Sequence, residues 1–371
     1  MDIISFLTAV VRQGVSDIHL RCGETPFVRK DGKILKVSNT QKLSEADIEG
    51  ILSELLPCIL MAHAEQVFDL DFSYEIQGVS RFRVNMSRQL GKLALVIRTI
   101  PYETPQIKDL GLPGSIKNFA KLNNGIVLIT GATGSGKSTT IASLIDHINA
   151  NYQKHIITIE DPIEFIFTNK KSIISQRQVE IDTTSFSDGV KYALRQDPDV
   201  ILIGEIRDRE TMSSALKAAE TGHLVFATMH TNDAVQTVNR IINIYEPQDR
   251  DFIRKQLSET LRGTVAQKLL PKAGEEGGQL PACEILTVTP TIKDFIIKDK
   301  LEEVYDLVKR GTFNDMLTMN MSMYELVKLG LITEETAMAN TDNKNEMSQL
   351  LREAYHGTFN PVHKYSGEEN V

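Results

Sequence analysis

Cysteine is scarce in this chain: Cys22, Cys58 and Cys283 are the only three in 371 residues, and no two are close in sequence. An odd number at such spacing builds neither a disulfide framework nor a CxxC zinc site. The thiols therefore read as small buried apolar side chains of a protein kept in a reducing cytoplasm. Long apolar runs are missing as well. None approaches the roughly 18 residues needed to cross a bilayer, and the apolar start MDIISFLTAVVRQG lacks the basic opening of a signal peptide. Its apolar positions Ile3, Phe6, Leu7, Val10 and Val11 recur at helical spacing. That predicts an amphipathic helix of the folded protein, and a chain that meets any membrane only through partners. Basic excess is also lacking: 41 Lys and Arg stand against 49 Asp and Glu, a net charge of −8. Phosphate contacts supply most nucleic-acid affinity, so this balance argues against a nucleic-acid partner. No internal repeat or low-complexity tract occurs.

What is present divides at about residue 100. Residues 1–100 predict a small mixed domain. In it, SDIHL (16–20) is a short strand, and FVRKDGKIL (27–35) is a hairpin turning at Asp31-Gly32. LSEADIEGILSELL (43–56) is a helix opened by a capping box of Ser44 and Asp47 and closed by Pro57. Three strands follow between 67 and 100: VFDLDFSYEI, SRFRVNMSR and KLALVIRTI. The stretch 101–115, with three prolines, predicts a linker. From 116 the rhythm changes. The aliphatic runs GIVLIT (125–130), HIITIE (155–160), VILIGE (200–205) and HLVFAT (223–228) alternate with helices at about 137–150, 185–196, 208–221 and 231–243. Continuous aliphatic strands separated by helices predict an α/β domain with a parallel sheet covered on both faces. A helical tail starts near 320, and the polar end YSGEENV is expected to fray.

GATGSGKST (131–139) satisfies G-x-x-x-x-G-K-[ST] between a strand and a helix, the context that gives this motif its meaning. Gly131, Gly134 and Gly136 let the backbone curl so that the N–H groups of Thr133 through Thr139 point inward at phosphates. The following helix aims its positive end at the same place. Lys137 supplies charge for the β and γ phosphates of ATP, and Ser138 a hydroxyl for Mg²⁺.

Such a site needs a carboxylate from another strand end to order Mg²⁺ or the attacking water. Two sets qualify: Glu205, in an atypical Walker B where Gly204 replaces the usual aspartate, and Glu160, Asp161 and Glu164 around Pro162. His230 follows a strand on the P-loop edge, whereas His223 begins that strand at the opposite edge. The stretch 79–98 holds Arg81, Arg83, Arg88, Lys92 and Arg98 with no acid. It reads as a solvated sheet face, as arginines that reach a triphosphate across a subunit boundary, or as a nucleic-acid patch with few stacking aromatics.

GATGSGKST, ITIEDPIEF, LRQDPDVILIGEIRD and TGHLVFATMHTNDA, in this order, resemble the Walker A, Asp box, Walker B and His box of the secretion-superfamily ATPases; SDIHL and RFRVN match the N-terminal domain of that family. The resemblance covers residues 1–340 and implies a PAS-like N-terminal α/β domain (1–100) and a RecA-like P-loop domain with C-terminal helices (116–371). It also implies a homohexameric ring. By the same resemblance Glu205, Glu160 and Glu164 are catalytic acids, with Glu160 and Ser138 on the metal and His230 near the nucleotide. Arg83 and Arg98 are nucleotide-sensing arginines, and Arg195 and Arg207 occupy motif positions.

Two features refine the branch. The extension and type II secretion members carry a longer N-terminus and a four-cysteine zinc module, which the short polar stretch 271–281 replaces here; this favours the type IV pilus retraction branch. Against that, the AIRNLIRE motif of retraction motors aligns with residues 291–298, where only Ile292 and Ile296 are kept. The implied partners are an inner-membrane pilus platform protein and a paralogous retraction ATPase, with the chain peripheral to the pilus machine. The alternatives are the accessory retraction ATPase, a RecA-like nucleic-acid translocase, and a regulator that binds nucleotide without hydrolysing it.

Overall fold

The apolar stripe at the N-terminus forms helix α1 (Ile3–Arg12), capped by Asp2, with Ile3, Leu7 and Val10 buried. In the computed structural model, residues 2–30, 32–38, 40–64, 66–100, 103–274, 277–310 and 315–353 are described. Asp31 of the expected hairpin turn, Pro101 and Tyr102 of the expected linker, and the polar end 365–371 lie outside them. The chain divides into two compact units. One comprises residues 1–104, 160–167 and 176–184; the other comprises 105–159, 168–175 and 185–371.

In the first unit, strands β1 (Asp17–Arg21), β2 (Phe27–Lys30) and β3 (Lys33–Lys36) precede helix α2 (Glu45–Leu55) and the short α3 (Met61–Ala64). Strands β4 (Leu70–Ile76), β5 (Ser80–Gln89) and β6 (Lys92–Ile100) follow. They form one antiparallel six-stranded sheet in the order β3-β2-β1-β6-β5-β4. The predicted capping box of α2 is complete, Ser44 and Asp47 each accepting from the other's backbone N–H. Alternation along β5 buries Phe82, Val84 and Met86 and turns Arg81, Arg83 and Asn85 to the other face. Phe72, Phe82, Ile97, Ile18 and Leu20 join Ile3 and Leu7 of α1 and Ile48 and Ile51 of α2 in one core. Each such side chain stabilises the unit by about 1.5–3 kcal/mol. The helices therefore cover the apolar face, and the face bearing the arginines carries charge.

The second unit is built on a seven-stranded sheet in the order β13-β12-β7-β11-β10-β8-β9. Its elements run β7 (Gly125–Thr130), α4 (Lys137–Asn151), β8 (His155–Glu160), β9 (Ile173–Gln178), α5 (Phe186–Ala193) and β10 (Val200–Ile203). They continue through α6 (Arg209–Glu220), β11 (Leu224–Met229), α7 (Ala234–Asn243), α8 (Arg250–Thr260), β12 (Leu261–Pro271) and β13 (Gln279–Thr287). Helices α9 (Pro290–Ile297), α10 (Glu302–Arg310), α11 (Met319–Lys328), α12 (Glu334–Asn340) and α13 (Lys344–Glu353) complete it, and β9 crosses the boundary between the units. Pairing is parallel for β12 with β7, β7 with β11, β11 with β10 and β10 with β8. All six residues of β7 and all six of β11 are buried, as expected of central strands covered on both faces.

Two expectations need correction. Residues 271–281 are not a plain polar loop, because Pro271 closes β12 and Gln279 opens β13 in an antiparallel pair. Within the expected linker 101–115, Ile107–Asp109 forms a 3₁₀ turn and a second, Gly114–Lys121, begins, with Ile107 and Leu112 buried.

Glu284 of β13 is 4% exposed and accepts from the Ala234 N–H at 2.8 Å, at the start of α7. It borders a cavity of about 460 Å³ lined also by Asp233, Tyr305 and Asn320. Burial pushes its carboxyl up to about 7; Asp233 adds to the rise, and Ala234, Met319 and Lys268 oppose it. The unfolded group ionises near 4.5 and the folded one holds its proton to about 7. Stability is thus complete below the lower value and is lost as pH rises towards the upper one, by at most about 3 kcal/mol. Glu284→Gln is expected to flatten the fall of Tm between pH 5 and 8 and to raise Tm at pH 8. Parallel melting curves for parent and variant across that range would refute this origin.

Candidate functional site

Because β7, β11 and β10 are adjacent and parallel, their carboxyl ends share one edge, and the loops leaving that edge meet. The first is the predicted cradle, Gly131–Thr139. Gly134 and Gly136 take left-handed backbones with φ of 80° and 85°. A Cβ on Gly136 would stand 2.7 Å from Gln267 Nε2, and one on Gly131 would strike the Gln267 carbonyl and stand 2.5 Å from Ser135 Oγ. Glycine is therefore demanded by space as well as by φ. Gly136 caps α4, whose free N–H groups and positive end face the cradle.

Lys137, the first residue of α4, is 8% exposed and folds back over the loop, donating to the carbonyls of Gly131 at 2.8 Å and Ala132 at 2.9 Å. Desolvation lowers its pKa, and the charge of Glu205 partly offsets this. Ser138 lies exposed in the first turn of α4, and Thr139 is half-buried beside it.

The second loop, 204–208, holds Glu205. Its neighbours are pinned on both sides. Gly204 donates to Ile159 O at 2.8 Å and accepts from the Thr228 hydroxyl, while Ile206 donates to Thr228 O at 3.0 Å. Asp208 then caps α6. Strand β10 ends at Ile203, so Glu205 stands two residues beyond it. Arg207 Nη2 lies 2.6 Å from Glu205 Oε2, and His230 Nε2, from the loop after β11, lies 3.2 Å from Glu205 Oε1. Desolvation raises the Glu205 pKa, but the Arg207 bond and the charges of Arg207, His230 and Lys137 outweigh it, so the net shift is downward. The carboxylate is thus ionised in the neutral range, in the field of the lysine that serves the cradle. His223 sits at the far edge, where its carbonyl accepts from Gly125 at the start of β7.

Glu160, Glu164, Arg81, Arg83 and Arg98 fall in the first unit, and Arg195 in the second. Glu160 accepts from Gln176 Nε2 at 3.3 Å and, at 3.5 Å, from the Glu164 N–H, which closes the turn through the cis Asp161-Pro162 bond. Ile163 of this turn accepts from Ser73 Oγ of β4 at 3.4 Å. Arg83 and Arg98 stand directly opposite each other on β5 and β6. Like charges at such a pair repel, and each is offset by its own carboxylate, Arg83 with Asp71 at 3.1 Å and Arg98 with Asp17 at 2.9 Å. Both side chains remain accessible, at 42% and 64%. Arg81 is more deeply placed, near Glu75 at 3.8 Å, and desolvation lowers its pKa against the pull of Glu75 and Glu160.

A glycine cradle on a helix N-terminus, a buried lysine and an ionised carboxylate from a neighbouring strand end make a nucleoside-polyphosphate site with a group able to orient water. The comparisons with known proteins agree. The model of the family described as "Type II/IV secretion system protein" matches residues 2–363. The chain belongs to that family. It is 40% identical over 337 residues, 91% of this chain and 97% of the other, to "Type IV pilus retractation ATPase PilT" of Pseudomonas aeruginosa. It is 37% identical over 352 residues, 95% and 92% of the two chains, to "Type IV pilus ATPase PilU" of the same organism. Among solved structures it is similar to the pilus retraction motor PilT with bound ADP, with a TM-score of 0.87, 43% identity, and coverage of 94% of this chain and 99% of that one. The chain is thus an ATPase of this family, with an N-terminal sheet domain and a C-terminal domain that carries helices.

Two buried polar side chains of β12 and β13 carry little sequence signal. Gln267 of β12 is 2% exposed and bonds to the cradle itself. The only signal for it is an amide beside Lys268 within the stretch VAQKLL. Glu284 is the other, an acid within the apolar run LPACEIL.

Proposed function

We propose that this chain is the ATP-hydrolysing subunit of a homohexameric motor that drives retraction of type IV pili. The observation that carries this reading is the convergence of Lys137, Glu205 and His230 on one edge of a parallel sheet, in a chain so similar along its length to a retraction ATPase. The N–H groups of Thr133 to Thr139 and the Lys137 ammonium hold the β and γ phosphates. Ser138 would hold Mg²⁺, which when bound would neutralise phosphate charge. Glu205, oriented by Arg207 and His230, aligns a water with the γ-phosphorus. The water oxygen bonds to phosphorus as the bond to the β,γ-bridging oxygen breaks, leaving ADP and phosphate and releasing a proton. Glu164 supports Glu160. Arg83 and Arg98 of a neighbouring subunit sense the γ-phosphate, and an arginine supplied in that way is worth about 10³–10⁵ in rate. Sequential movement around the ring acts on an inner-membrane platform protein, with the chain in the cytoplasm at the base of the pilus and, in the accessory form of this function, beside a paralogous retraction ATPase.

Deleting the gene is expected to leave cells with excess surface pili that do not twitch. The parent gene should restore movement, and an Arg98→Ala version should not. Cells that twitch normally after the deletion would sink the principal motor and leave the accessory one, which a double deletion with the paralogue then tests.

A further inference from the structure

Strand β12 lies against β7, and its side chains alternate between two tasks. Lys268 reaches the helical tail, donating to Asn340 O at 3.2 Å and pairing with Asp342 at 2.7 Å, and Leu270 packs among Met319, Met323 and Leu351. Gln267 and Leu269 face the cradle instead, as the contacts a Cβ on Gly136 would make with both of them show. The Gln267 amide is used at both ends. Its oxygen accepts from the Thr140 hydroxyl of α4 at 2.8 Å, and its nitrogen donates to the Ser135 carbonyl at 2.7 Å. The Ser135 carbonyl can only accept and so fixes which way the amide points, while the Thr140 bond keeps the amide from swinging away.

The consequence follows from peptide geometry. The Ser135 carbonyl and the Gly136 N–H belong to one planar trans peptide and point in opposite directions. Anchoring the carbonyl outward on Gln267 turns the Gly136 N–H inward. Gly136 has φ of 85°, a backbone free to rotate because it has no Cβ, so this peptide needs an external hold. We propose that Gln267 is a positioning residue of the nucleotide site, holding the Ser135–Gly136 peptide with its N–H turned towards the phosphates. The proposal rests on the reading of loop 131–139 as a nucleotide cradle. The role demands a neutral group that donates and accepts in a set orientation, which among side chains of this length only an amide does. Leucine leaves the carbonyl unbonded. Glutamate keeps the Thr140 bond but cannot donate, and it sets a negative charge beside a carbonyl and incoming phosphates.

The test measures affinity for ADP with a fluorescent ribose label, KM and kcat for ATP, and Tm, on the full chain. Gln267→Leu is expected to weaken ADP binding ~10-fold, the cost of leaving a buried carbonyl without its donor. Gln267→Glu should weaken it further, ~100-fold, because it adds repulsion to the lost donor. Thr140→Val, which frees the amide to swing, should cost ~3-fold, and combining it with Gln267→Leu should add little to the leucine variant alone. In each case KM rises more than kcat falls. A purely structural role predicts the reverse order, with glutamate the milder change because it keeps the Thr140 bond, and a Tm loss at unchanged KM. ADP affinity within twofold of the parent in Gln267→Leu, or glutamate binding better than leucine, would overturn the proposal. Should the leucine variant not fold, the glutamate and valine variants decide by the same criteria. Lys137→Ala serves as the separate control: if it still binds ADP, the cradle reading falls first and this proposal with it.

Discussion

Lys137→Ala is expected to cut ATP turnover by at least ~10²-fold and to remove the thermal stabilisation that ADP confers on the parent. Removing one preorganised donor from developing charge costs about 10²–10³ in rate where it has been measured. Lys137 is more than one donor here. The residue is 8% exposed and its ammonium bonds to the Gly131 and Ala132 carbonyls, so it also fastens the curl to the start of α4. The alanine variant loses both the cation and that clasp. A ligand at 100 times its Kd stabilises by about 2.7 kcal/mol, so a melting series against ADP reads the loss directly. A full ADP-dependent rise of Tm in the variant would show that the phosphates lie elsewhere.

Glu205→Gln should behave differently: turnover down by ~10²–10⁴-fold, the range set by general-base contributions, with ADP binding kept within a few-fold. Glu205 touches Arg207 at 2.6 Å and His230 at 3.2 Å and lies in the field of Lys137, whereas the cradle is built from Gly131–Thr139. The amide is nearly isosteric but carries no charge. It also removes the carboxylate that helps keep Lys137 protonated. Because the Glu205 pKa is lowered, the parent's carboxylate contributes fully at pH values above its unfolded pKa and its contribution is lost as pH falls through its folded one. The acid limb of the rate profile should therefore flatten in the variant. Undiminished turnover in Glu205→Gln would take the water-orienting role away from Glu205.

The two acid clusters looked alike as sequence: each follows an aliphatic run and each precedes a proline turn or helix cap. They differ in surroundings. Glu205 meets Arg207, His230 and Lys137, while Glu160 meets Gln176 and the backbone of Glu164 in the first unit. Local pattern does not report that difference, because the partners come from loops that are distant along the chain. The arginines are a similar case. The spacing of Arg81 and Arg83 placed both on one face of β5, as found. The pairing of Arg83 opposite Arg98, with Asp71 and Asp17 as counter-charges, needed the register of four strands.

Short-range order was therefore determined by the sequence alone. The capping box at Ser44 and Asp47, the alternation that buries Phe82 and Val84, the aliphatic strands and the glycine cradle all rest on interactions spanning a few residues. Strand neighbours were decided only in three dimensions. Residues 261–287, to which the sequence alone assigns no strand, supply β12 and β13, and β12 takes the place beside β7. That placement brings Gln267 to Thr140, 127 residues away along the chain. The entropy of closing a loop grows only as the logarithm of its length. Distance along the chain thus says almost nothing about which strand lies beside the cradle, and packing of the whole sheet makes that choice.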